Sequence, residues 1–509
     1  MNSATDLVPS IDPRSGAVRQ HFPATDPHEI AEYVQRAQAS ARWLVDLGRV
    51  GRADLLDDFA AELERRESAI LEIGDAETAL GVPRLRGELA RTCFQLRFQG
   101  EVAREGSYLG ASIEHAGVTA LGPRPDIRLT RAPVGPVAVF SASNFPLAFS
   151  VAGGDTASAI AAGCPVIVKG HSAHPALSVE VASAMKAVLD RRGAPAGVLQ
   201  LALGRSAGRA LVTDPGIAAV GFTGSVEGGR ALFDLAGSRE RPIPFFGELG
   251  SVNPFVVTAR AAQEKADEIA TGLCASLTGS VGQLCTRPGV VFLPDDDGGR
   301  ALFSRLVRLL EEVPPAYMLT EAMASSFRTR TVAMAELEPL TTLHGEIGPG
   351  PTVRPAIIET AISALMSEDT ALLREEVFGP FAQVCFYSST DEVRRALRTL
   401  PDALTGTVFS GSSDDGLKPI VEAMESRSGR VIFDGFPTGV AVTWGMHHGG
   451  SYPASTSAFT SVGAAAIQRW LRPIAYQNAP EEILPEELRD RGVVVIPTRI
   501  DGVLVTPPR

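Results

Sequence analysis

The chain has 509 residues, of which 45% are hydrophobic and 21% charged, and it carries 50 glycines and 36 prolines. This composition is typical of a turn-rich globular protein and argues against a disordered chain or a minimal scaffold. The formal charge of −12 offers no basic field to the phosphates of nucleic acid, so we expect no nucleic-acid partner.

Cysteine usage and hydropathy predict the compartment. Five cysteines are present without a CxxC pair, which favours a reducing compartment over a disulfide framework. The N-terminus has no signal pattern, and no apolar tract reaches about 20 residues. We therefore expect a cytoplasmic protein without a membrane partner. The eight histidines include no HExxH or similar ligand spacing, so no metal site is predicted.

The first hundred residues have helical periodicity. Residues 28–47 carry apolar side chains at helical spacing, with Asp26 as the expected N-cap and Gly48 just after the end. A second amphipathic segment surrounds residues 55–63, and a third covers about residues 84–103.

After a Gly- and Pro-marked stretch at 122–125, short apolar runs alternate with helical segments. This alternation indicates parallel βαβ units with buried strands, and hence a nucleotide-binding α/β domain. The predicted strands are 136–140, 165–169, 198–203, 218–222 and 244–249, and the predicted helices are 176–189 and 226–235.

The same pattern restarts near residue 260 and predicts a second α/β domain. Its predicted elements are a helix through Cys274, a helix at 302–310, and strands at 290–294, 383–387, 405–409 and 431–436. The chain ends in an apolar run at 493–505. Because an exposed strand of this kind needs a pairing partner, the run predicts a subunit contact.

No GxGxxG fingerprint follows a predicted strand, which weakens an ordinary Rossmann interpretation. The tract FTGSVEGG instead places Gly224 and Gly229 at the start of a predicted helix. Glycines there allow a phosphate to approach the free N–H groups of the helix. For this tract alone, a plain strand-to-helix turn is the alternative.

Three side chains are candidate catalytic residues. Cys285 lies between glycines in GQLCTRPG, as a nucleophile would, although most free cysteines are small buried hydrophobes. Glu248 ends the run 244–249, where partial burial would raise its pKa and suit it to accept a proton from water. Asn144 follows the run 136–140, and its amide would donate to an oxyanion. A solvated strand end and a turn are the alternatives for Glu248 and Asn144.

Six separated tracts in combination indicate a protein family more specifically than any one of them alone. They are RAPVGPVAVFSASNFP, PVIVKGHSAHP, AVGFTGSVEGG, FFGELGSVNP, GQLCTRPG and REEVFGPF. In their order and intervals they resemble the aldehyde dehydrogenase superfamily, from the first helices to about residue 475. The resemblance implies an α/β fold with two doubly wound domains and a small β oligomerisation element. It places the cofactor domain at 1–121 and 134–254, the catalytic domain at 255–445, and the oligomerisation and C-terminal segments at 122–133 and 446–509.

Within that superfamily, the tract 433–463 is similar to the 2-oxoglutarate semialdehyde (2,5-dioxovalerate) dehydrogenase branch. The resemblance implies NAD(P)-dependent oxidation of this aldehyde to 2-oxoglutarate by a homodimer or homotetramer. An NADP-dependent dehydrogenase of medium or long aliphatic aldehydes is the alternative. Acyl transfer to coenzyme A is disfavoured because that route needs no hydrolytic base such as Glu248. A non-enzymatic role is disfavoured because the thiol and the base are both present.

The family mechanism assigns a role to each candidate. Cys285, as thiolate, would attack the aldehyde, and Asn144 with the Cys285 backbone N–H would hold the oxyanion of the thiohemiacetal. After hydride transfer to the nicotinamide, water activated by Glu248 would hydrolyse the thioester.

The match also assigns cofactor residues. Six of them would contact the adenosine ribose, the pyrophosphate or the nicotinamide riboside: Lys169, Gly224, Ser225, Gly229, Glu376 and Phe378. Ser172 stands where relatives carry a glutamate that repels a 2′-phosphate, so NADP is favoured over NAD. Arg205 would stack on adenine or pair with that phosphate, unless it is a solvated arginine at a helix start.

A substrate carboxylate needs a paired charge when it is desolvated. Arg91, Gln95 and Arg97 are the candidates, with Arg91 and Gln95 on one helix face. Surface or interhelix salt bridges are the alternative use of these side chains. Phe145 and Phe149 would line the apolar part of the substrate tunnel, although core packing explains them equally well.

Overall fold

The computed structural model describes residues 6–337, 341–348, 350–412, 414, 416–490 and 495–507. Within these ranges no helix has both the length and the apolar character that crossing a bilayer requires. Over the same residues, two large sheets of five and seven strands, a third sheet of five mostly shorter strands and three two-stranded sheets, with helices packed around them, form an α/β fold. The predicted fold class is confirmed.

The α-helices of the described residues are α1 (Pro27–Asp46), α2 (Gly48–Arg65), α3 (Glu67–Thr78), α4 (Val82–Glu105), α5 (Gly154–Ala162), α6 (Pro175–Arg191), α7 (Arg205–Thr213), α8 (Val226–Gly237), α9 (Ala259–Glu264), α10 (Ala266–Thr278), α11 (Asp297–Glu311), α12 (Glu321–Ala335), α13 (Ile362–Leu365), α14 (Thr390–Thr399) and α15 (Leu417–Glu425). The predicted helices at 28–47, 176–189, 226–235 and 302–310 correspond to α1, α6, α8 and α11.

The strands of the same residues are β1 (Leu7–Ile11), β2 (Val18–Pro23), β3 (Ser112–Glu114), β4 (Gly117–Thr119), β5 (Gly122–Arg124), β6 (Ile127–Pro133), β7 (Val137–Phe140), β8 (Val166–Lys169), β9 (Leu199–Ala202), β10 (Ala219–Thr223), β11 (Phe245–Glu248), β12 (Asn253–Val257), β13 (Pro288–Pro294), β14 (Ala316–Tyr317), β15 (Thr341–His344), β16 (Thr352–Val353), β17 (Ala356–Thr360), β18 (Phe381–Tyr387), β19 (Ala403–Phe409), β20 (Ser428–Phe433), β21 (Leu471–Gln477), β22 (Thr498–Ile500) and β23 (Val503–Val505).

Helix α1 begins where the sequence predicts. The Asp26 side chain accepts from the His28 N–H at 2.8 Å, and the Glu29 carboxylate accepts from the Asp26 N–H at 3.1 Å, which forms a capping box. Gly48 does not lie in a loop after the helix but begins α2, with a φ of +65°. The predicted segments at 55–63 and 84–103 lie within α2 and α4.

The first large sheet is parallel, with strand order β11-β10-β7-β8-β9. All five predicted strands of this region are confirmed, with slightly different bounds. Because the strands are parallel, their carboxyl ends lie at one edge, where α/β proteins bind ligands. The segments that follow β7, β8, β10 and β11 carry most of the predicted site residues.

The second large sheet has the order β15-β17-β18-β13-β12-β19-β20 and is parallel except for β15. The predicted runs in this half of the chain correspond to β13, β18, β19 and β20. The last run ends earlier than predicted, at Phe433, because Asp434 adopts a left-handed backbone with a φ of 47°. This sheet carries the backbone that follows Cys285.

The third sheet has the order β21-β6-β3-β22-β23. It pairs β6 with β21 along their whole length, so the two segments assigned to oligomerisation meet. Strand β3 joins them, although the sequence analysis assigned it to the cofactor domain. In the C-terminal apolar run, residues 493–494 lie outside the described residues, and the rest forms the hairpin β22–β23 rather than one strand. The domain bounds and the subunit contact stay predictions.

Candidate active site

Cys285 lies on a loop between a 3₁₀ turn, Gly279–Gly282, and β13. The side-chain amide of Asn253 donates to the carbonyls of Cys285 and Arg287, at 2.8 and 2.9 Å. A Cβ on Gly282, whose φ is +65°, would lie 2.3 Å from the backbone of Gly379. The turn therefore requires glycine, and Asn253 holds the nucleophile's backbone against β12.

Asn144 reaches the same loop from the carboxyl end of β7. Its side chain is buried, and Nδ2 donates to the carbonyl of Gln283 at 2.9 Å. A primary amide has two N–H donors, so one remains for a ligand oxygen. Asn144 and Cys285 line one cavity, as the oxyanion role requires.

Glu248 ends β11 and lines that cavity with its side chain almost fully buried. Its carboxylate accepts from the Ser461 hydroxyl. Burial raises the pKa of Glu248 to about 8, and the Ser461 hydrogen bond opposes this only in part. A carboxyl group with this pKa is mostly protonated at neutral pH and becomes a base in mildly alkaline solution.

His448 joins the two reactive groups. Its Nε2 lies 3.8 Å from Cys285 Sγ and 3.4 Å from Glu248 Oε2. Burial lowers the pKa of His448 to about 3, so the imidazole is neutral. The sequence predicted no role for His448, because neither it nor the adjacent His447 lies in a recognisable ligand spacing. The family-like tract 433–463 was the one signal that included it.

The thiol itself is neutral in this state. Burial, with the nearby carboxyls of Glu248 and Glu376, raises the pKa of Cys285 to about 12, and the charge of Arg430 opposes this. A thiolate therefore has to form by loss of the thiol proton when the substrate reacts. With its lowered pKa, His448 is too weak a base to take that proton, but its Nε2 faces the sulfur and can donate an N–H to the thiolate.

The cavity continues toward a group of predicted cofactor residues. Its further lining includes Gly224, Ser225, Glu376 and Phe378. Gly224 and Ser225 are exposed, and the Ser225 hydroxyl caps α8 by accepting from the Gly228 N–H at 3.2 Å. The structure thus brings the nucleophile next to the open N-terminus of a helix, where a phosphate is stabilised.

Lys169, Ser172 and Arg205 lie at the same sheet edge, at and beyond the end of β8 and at the start of α7. Burial and then the charge of Arg205 lower the pKa of Lys169 to about 8, which places these two cations near each other. Ser172 is exposed and brings no negative charge to this cationic region.

A family model described as "Aldehyde dehydrogenase family" matches residues 1–472. The chain belongs to the aldehyde dehydrogenase family. In this chain a cysteine, an amide and a carboxyl group line one cavity at the carboxyl edge of a parallel sheet.

Alignments with two relatives extend over about nine-tenths of the chain. Alpha-ketoglutaric semialdehyde dehydrogenase 2 of Azospirillum brasilense is 42% identical over 485 residues, 92% of this chain and 91% of the relative. Alpha-ketoglutaric semialdehyde dehydrogenase of Acinetobacter baylyi is 39% identical, covering 89% and 87%. The crystal structure of glyceraldehyde-3-phosphate dehydrogenase GapN from Methanocaldococcus jannaschii, complexed with NADP, has a TM-score of 0.79 at 19% identity and covers 94% of this chain and 99% of its own.

Three predicted site residues have other contacts in this aldehyde dehydrogenase. Gly229 is buried, and a Cβ there would lie 2.1 Å from Leu249 Cδ2, so it serves helix–sheet packing. Gln95 donates to the carbonyl of Ala148 inside the core. Arg97 lies six residues after Arg91 and therefore on a different face of α4, which is exposed. There it forms a two-bond ion pair with Glu64. Arg97 thus has the salt-bridge use that the sequence left open, whereas the assignments of Gly229 and Gln95 as ligand contacts stay predictions.

Phe145, Phe149 and Arg91 remain beside the site. The Phe145 and Phe149 rings lie 5.5 Å apart, and the Phe149 ring lies 6.4 Å from that of His448. The guanidinium of Arg91 lies 6.0 Å from the Phe149 ring centre. These half-buried side chains form a wall on the His448 side of the sulfur.

Sequence reasoning also missed Arg84. Its Nε donates to Ser280 Oγ at 2.9 Å and its Nη2 to the Asn144 carbonyl at 3.2 Å, while Nη1 pairs with Glu88. One side chain of α4 thus connects the loop of the nucleophile to the loop of the amide donor.

Proposed function

We propose that this aldehyde dehydrogenase oxidises 2-oxoglutarate semialdehyde to 2-oxoglutarate with NAD(P), through intermediates covalently bound to Cys285. The observation that carries the proposal is one cavity lined by the Cys285 thiol, the Asn144 amide and the Glu248 carboxyl. The substrate follows from the two named relatives at 42% and 39% identity.

The first half of the reaction forms the carbon–sulfur bond. The thiol proton passes to solvent as the sulfur attacks the aldehyde carbon, and the neutral imidazole of His448, whose Nε2 faces the sulfur, stabilises the thiolate by donating an N–H. The free N–H of the Asn144 amide and the Cys285 backbone N–H stabilise the oxyanion that forms. Hydride then leaves this thiohemiacetal for the oxidised nicotinamide, which is the chemistry the dinucleotide supplies when bound.

The second half releases the acid. Glu248, in its ionised form, accepts a proton from a water molecule that attacks the thioester carbonyl. The tetrahedral intermediate collapses to the carboxylic acid with loss of the Cys285 thiolate, which takes up a proton again. The Ser461 hydrogen bond keeps the Glu248 side chain oriented through this step.

The residues at the sheet edge fit a dinucleotide. The start of α8 offers backbone N–H groups to the pyrophosphate, and we assign Lys169, the last residue of β8, to the adenosine ribose. A Cβ on Gly250 would lie 2.3 Å from Glu376 Oε2, so this glycine leaves room for the carboxylate that would hold the nicotinamide ribose. We favour NADP because Ser172 and Arg205 bring donors and positive charge, but no carboxylate, to the site of a 2′-phosphate.

Absorbance of reduced cofactor, recorded with a panel of aldehydes and both dinucleotides, tests the proposal. We expect the highest kcat/KM with 2-oxoglutarate semialdehyde; equal or better turnover of hexanal would contradict it in favour of an aliphatic-aldehyde dehydrogenase. Cys285→Ala should abolish turnover, whereas Cys274→Ala, in α10, is the matched control and should retain it.

We also infer a cytoplasmic homodimer or homotetramer. The cysteines at all five positions are free thiols, which suits a reducing compartment. The edge strand β23 exposes Val503 and Leu504, which suits a contact between subunits.

A further inference from the structure

Two arginines lie beside the nucleophile without a carboxylate to pair with. Arg91 comes from α4 and Arg430 from β20, and within the described residues neither forms an ion pair with an acidic side chain. Both are largely buried. A desolvated guanidinium without a counter-ion is unfavourable, so a negatively charged ligand would stabilise this pair of arginines.

Their hydrogen bonds attach both side chains to one loop. Arg91 Nη1 donates to the Val440 carbonyl, and Arg430 donates to the carbonyls of Gly439 and Pro437, at 3.0 and 3.1 Å. The Nε atom of each arginine is buried and has no hydrogen-bond partner among the described residues. The loop thus holds the two cations in place while donors remain unused.

Contacts place this pair at the substrate side of the sulfur. The Arg91 guanidinium lies over the Phe149 ring, which is next to the imidazole of His448, and His448 faces Cys285 Sγ. The positive charges of Arg430 and Arg91 both act on His448, and that of Arg430 acts on Cys285 as well. Neither arginine is in the lining of the cavity that contains Cys285, Glu376 and Phe378, so the pair lies outside the space predicted for the cofactor.

The nearby acids are already engaged. Glu88, the acid whose charge acts on Arg91, pairs with Arg84 and accepts from the N–H groups of Leu147 and Ala148, both at 2.8 Å. The charged groups that act on Glu248 are Arg469 and Asp155, not these arginines. The region around Arg91 and Arg430, beside His448, is therefore positive before a ligand arrives.

We propose that Arg91 and Arg430 form a subsite for the carboxylate of the aldehyde substrate, and that they select carboxylated aldehydes over neutral ones. This inference rests on the proposed aldehyde oxidation. The planar guanidinium offers several donors in the geometry that a carboxylate accepts, and charge-assisted bonds of this kind are the stronger ones. The carboxylate supplies the counter-charge that the chain lacks, so one end of a short substrate is held while the other meets the sulfur.

A matched pair of aldehydes tests the subsite. 5-Oxopentanoate and pentanal have the same carbon chain and differ in the carboxylate. In the wild type we expect a higher kcat/KM for 5-oxopentanoate. In Arg91→Met and Arg430→Met the ratio of the two kcat/KM values should fall by about tenfold to a hundredfold, the loss expected for a charge-assisted hydrogen bond. Arg97→Met, on the exposed face of the same helix, should keep the wild-type ratio.

A binding measurement separates recognition from folding. Glutarate should raise the thermal unfolding midpoint of the wild type, and this shift should disappear in both methionine variants and return in part in Arg430→Lys, which keeps the charge. Equal losses for both aldehydes, or an unchanged glutarate shift, would overturn the subsite. If the wild type prefers 5-oxopentanoate but does not oxidise 2-oxoglutarate semialdehyde, the subsite stands and the proposed substrate fails.

Discussion

Around the reactive sulfur, three titratable side chains are kept neutral by burial. The pKa values of Cys285 and Glu248 are raised to about 12 and about 8, and that of His448 is lowered to about 3. Because a desolvated charge is unfavourable in a low dielectric, the resting site holds its protons on the thiol and on the carboxyl. A neutral thiol is also a poor target for oxidation, since the thiolate is the reactive form.

The raised pKa of Glu248 predicts a pH dependence. Only the ionised carboxylate accepts a proton from water, so hydrolysis of the thioester should rise with pH and level off above about 8, and should fall as pH drops below that value. Steady turnover recorded across neutral and mildly alkaline buffers measures this. Glu248→Gln should retain a burst of reduced cofactor, lose about a hundredfold or more in steady turnover and have no rise near pH 8. A variant that kept the wild-type profile would contradict the assignment.

His448 should control formation of the thiolate. Replacing it with asparagine keeps a polar side chain but removes the imidazole N–H that stabilises the thiolate, so the burst of reduced cofactor should slow by about ten- to a hundredfold. Alkylation of Cys285 by iodoacetamide, followed against pH, provides a second measurement that a purely structural role would not change. His447→Asn is the matched control, because the neighbouring histidine has no contact with the thiol. Equal alkylation rates in the two variants would exclude the role of His448.

Ser172 should decide the choice of dinucleotide. A Ser172→Glu variant introduces a carboxylate that repels a 2′-phosphate and accepts from ribose hydroxyls. The ratio of kcat/KM for NADP to that for NAD should fall by about tenfold or more. The exposed position of Ser172 makes loss of folding an improbable cause of any change, and thermal unfolding checks it. An unchanged ratio would mean that the adenosine site lies elsewhere.

Among the elements, α4 organises the site although no reacting group lies on it. Arg84 connects the loops of Cys285 and Asn144, and Glu88 binds the N–H groups of Leu147 and Ala148. The amide donor and the sulfur are thus held at a fixed separation by one helix. Rate depends steeply on such positioning, because misplacement of about 1 Å costs about a hundredfold.

Arg84→Met should therefore lower kcat by about ten- to a hundredfold through misplacement of the two loops. KM for the dinucleotide should change little, since its predicted contacts lie on the first sheet and α8. Arg84→Lys should restore part of the rate, because one charged donor can still reach Glu88 or the Asn144 carbonyl. Arg86→Met, which removes an exposed pair with Glu67, is the control. Equal kcat in Arg84→Met and Arg86→Met would contradict the positioning role.

Two of the helices that the sequence patterns missed lack a regular apolar stripe. The buried face of α3 includes Gly74, Glu77 and Thr78, so its apolar spacing is interrupted, and the Glu77 carboxylate caps α6 through the Ala176 and Leu177 N–H groups. Helix α5 is almost entirely buried and has no polar face. Periodicity indicates a helix only when apolar positions recur on one face and polar positions on the other. The polar side chains on the buried face of α3 and the burial of α5 on all sides remove that pattern.

For the molecule as a whole, the sequence predicted the two parallel sheets and the three groups that react. Cys285, Glu248 and Asn144 each follow or precede a strand, so their local patterns place them at the sheet edges. His448 and Arg430 lie in a loop and an outer strand, and their roles depend on which distant segments they meet. No local spacing carries that information, and only the folded chain brings them to the sulfur.

The exposed edge of the third sheet should control assembly. Val503 and Leu504 on β23 are 65% and 58% exposed. The unpaired backbone groups of an exposed apolar edge strand favour pairing with a strand of another subunit. The double variant Val503→Lys and Leu504→Lys places two charges there, so the mass measured by light scattering after size exclusion should fall relative to the wild type. Val50→Lys, at an exposed apolar position of α2, is the control and should leave the mass unchanged. An unaltered mass in the double variant would show that subunits associate through another surface.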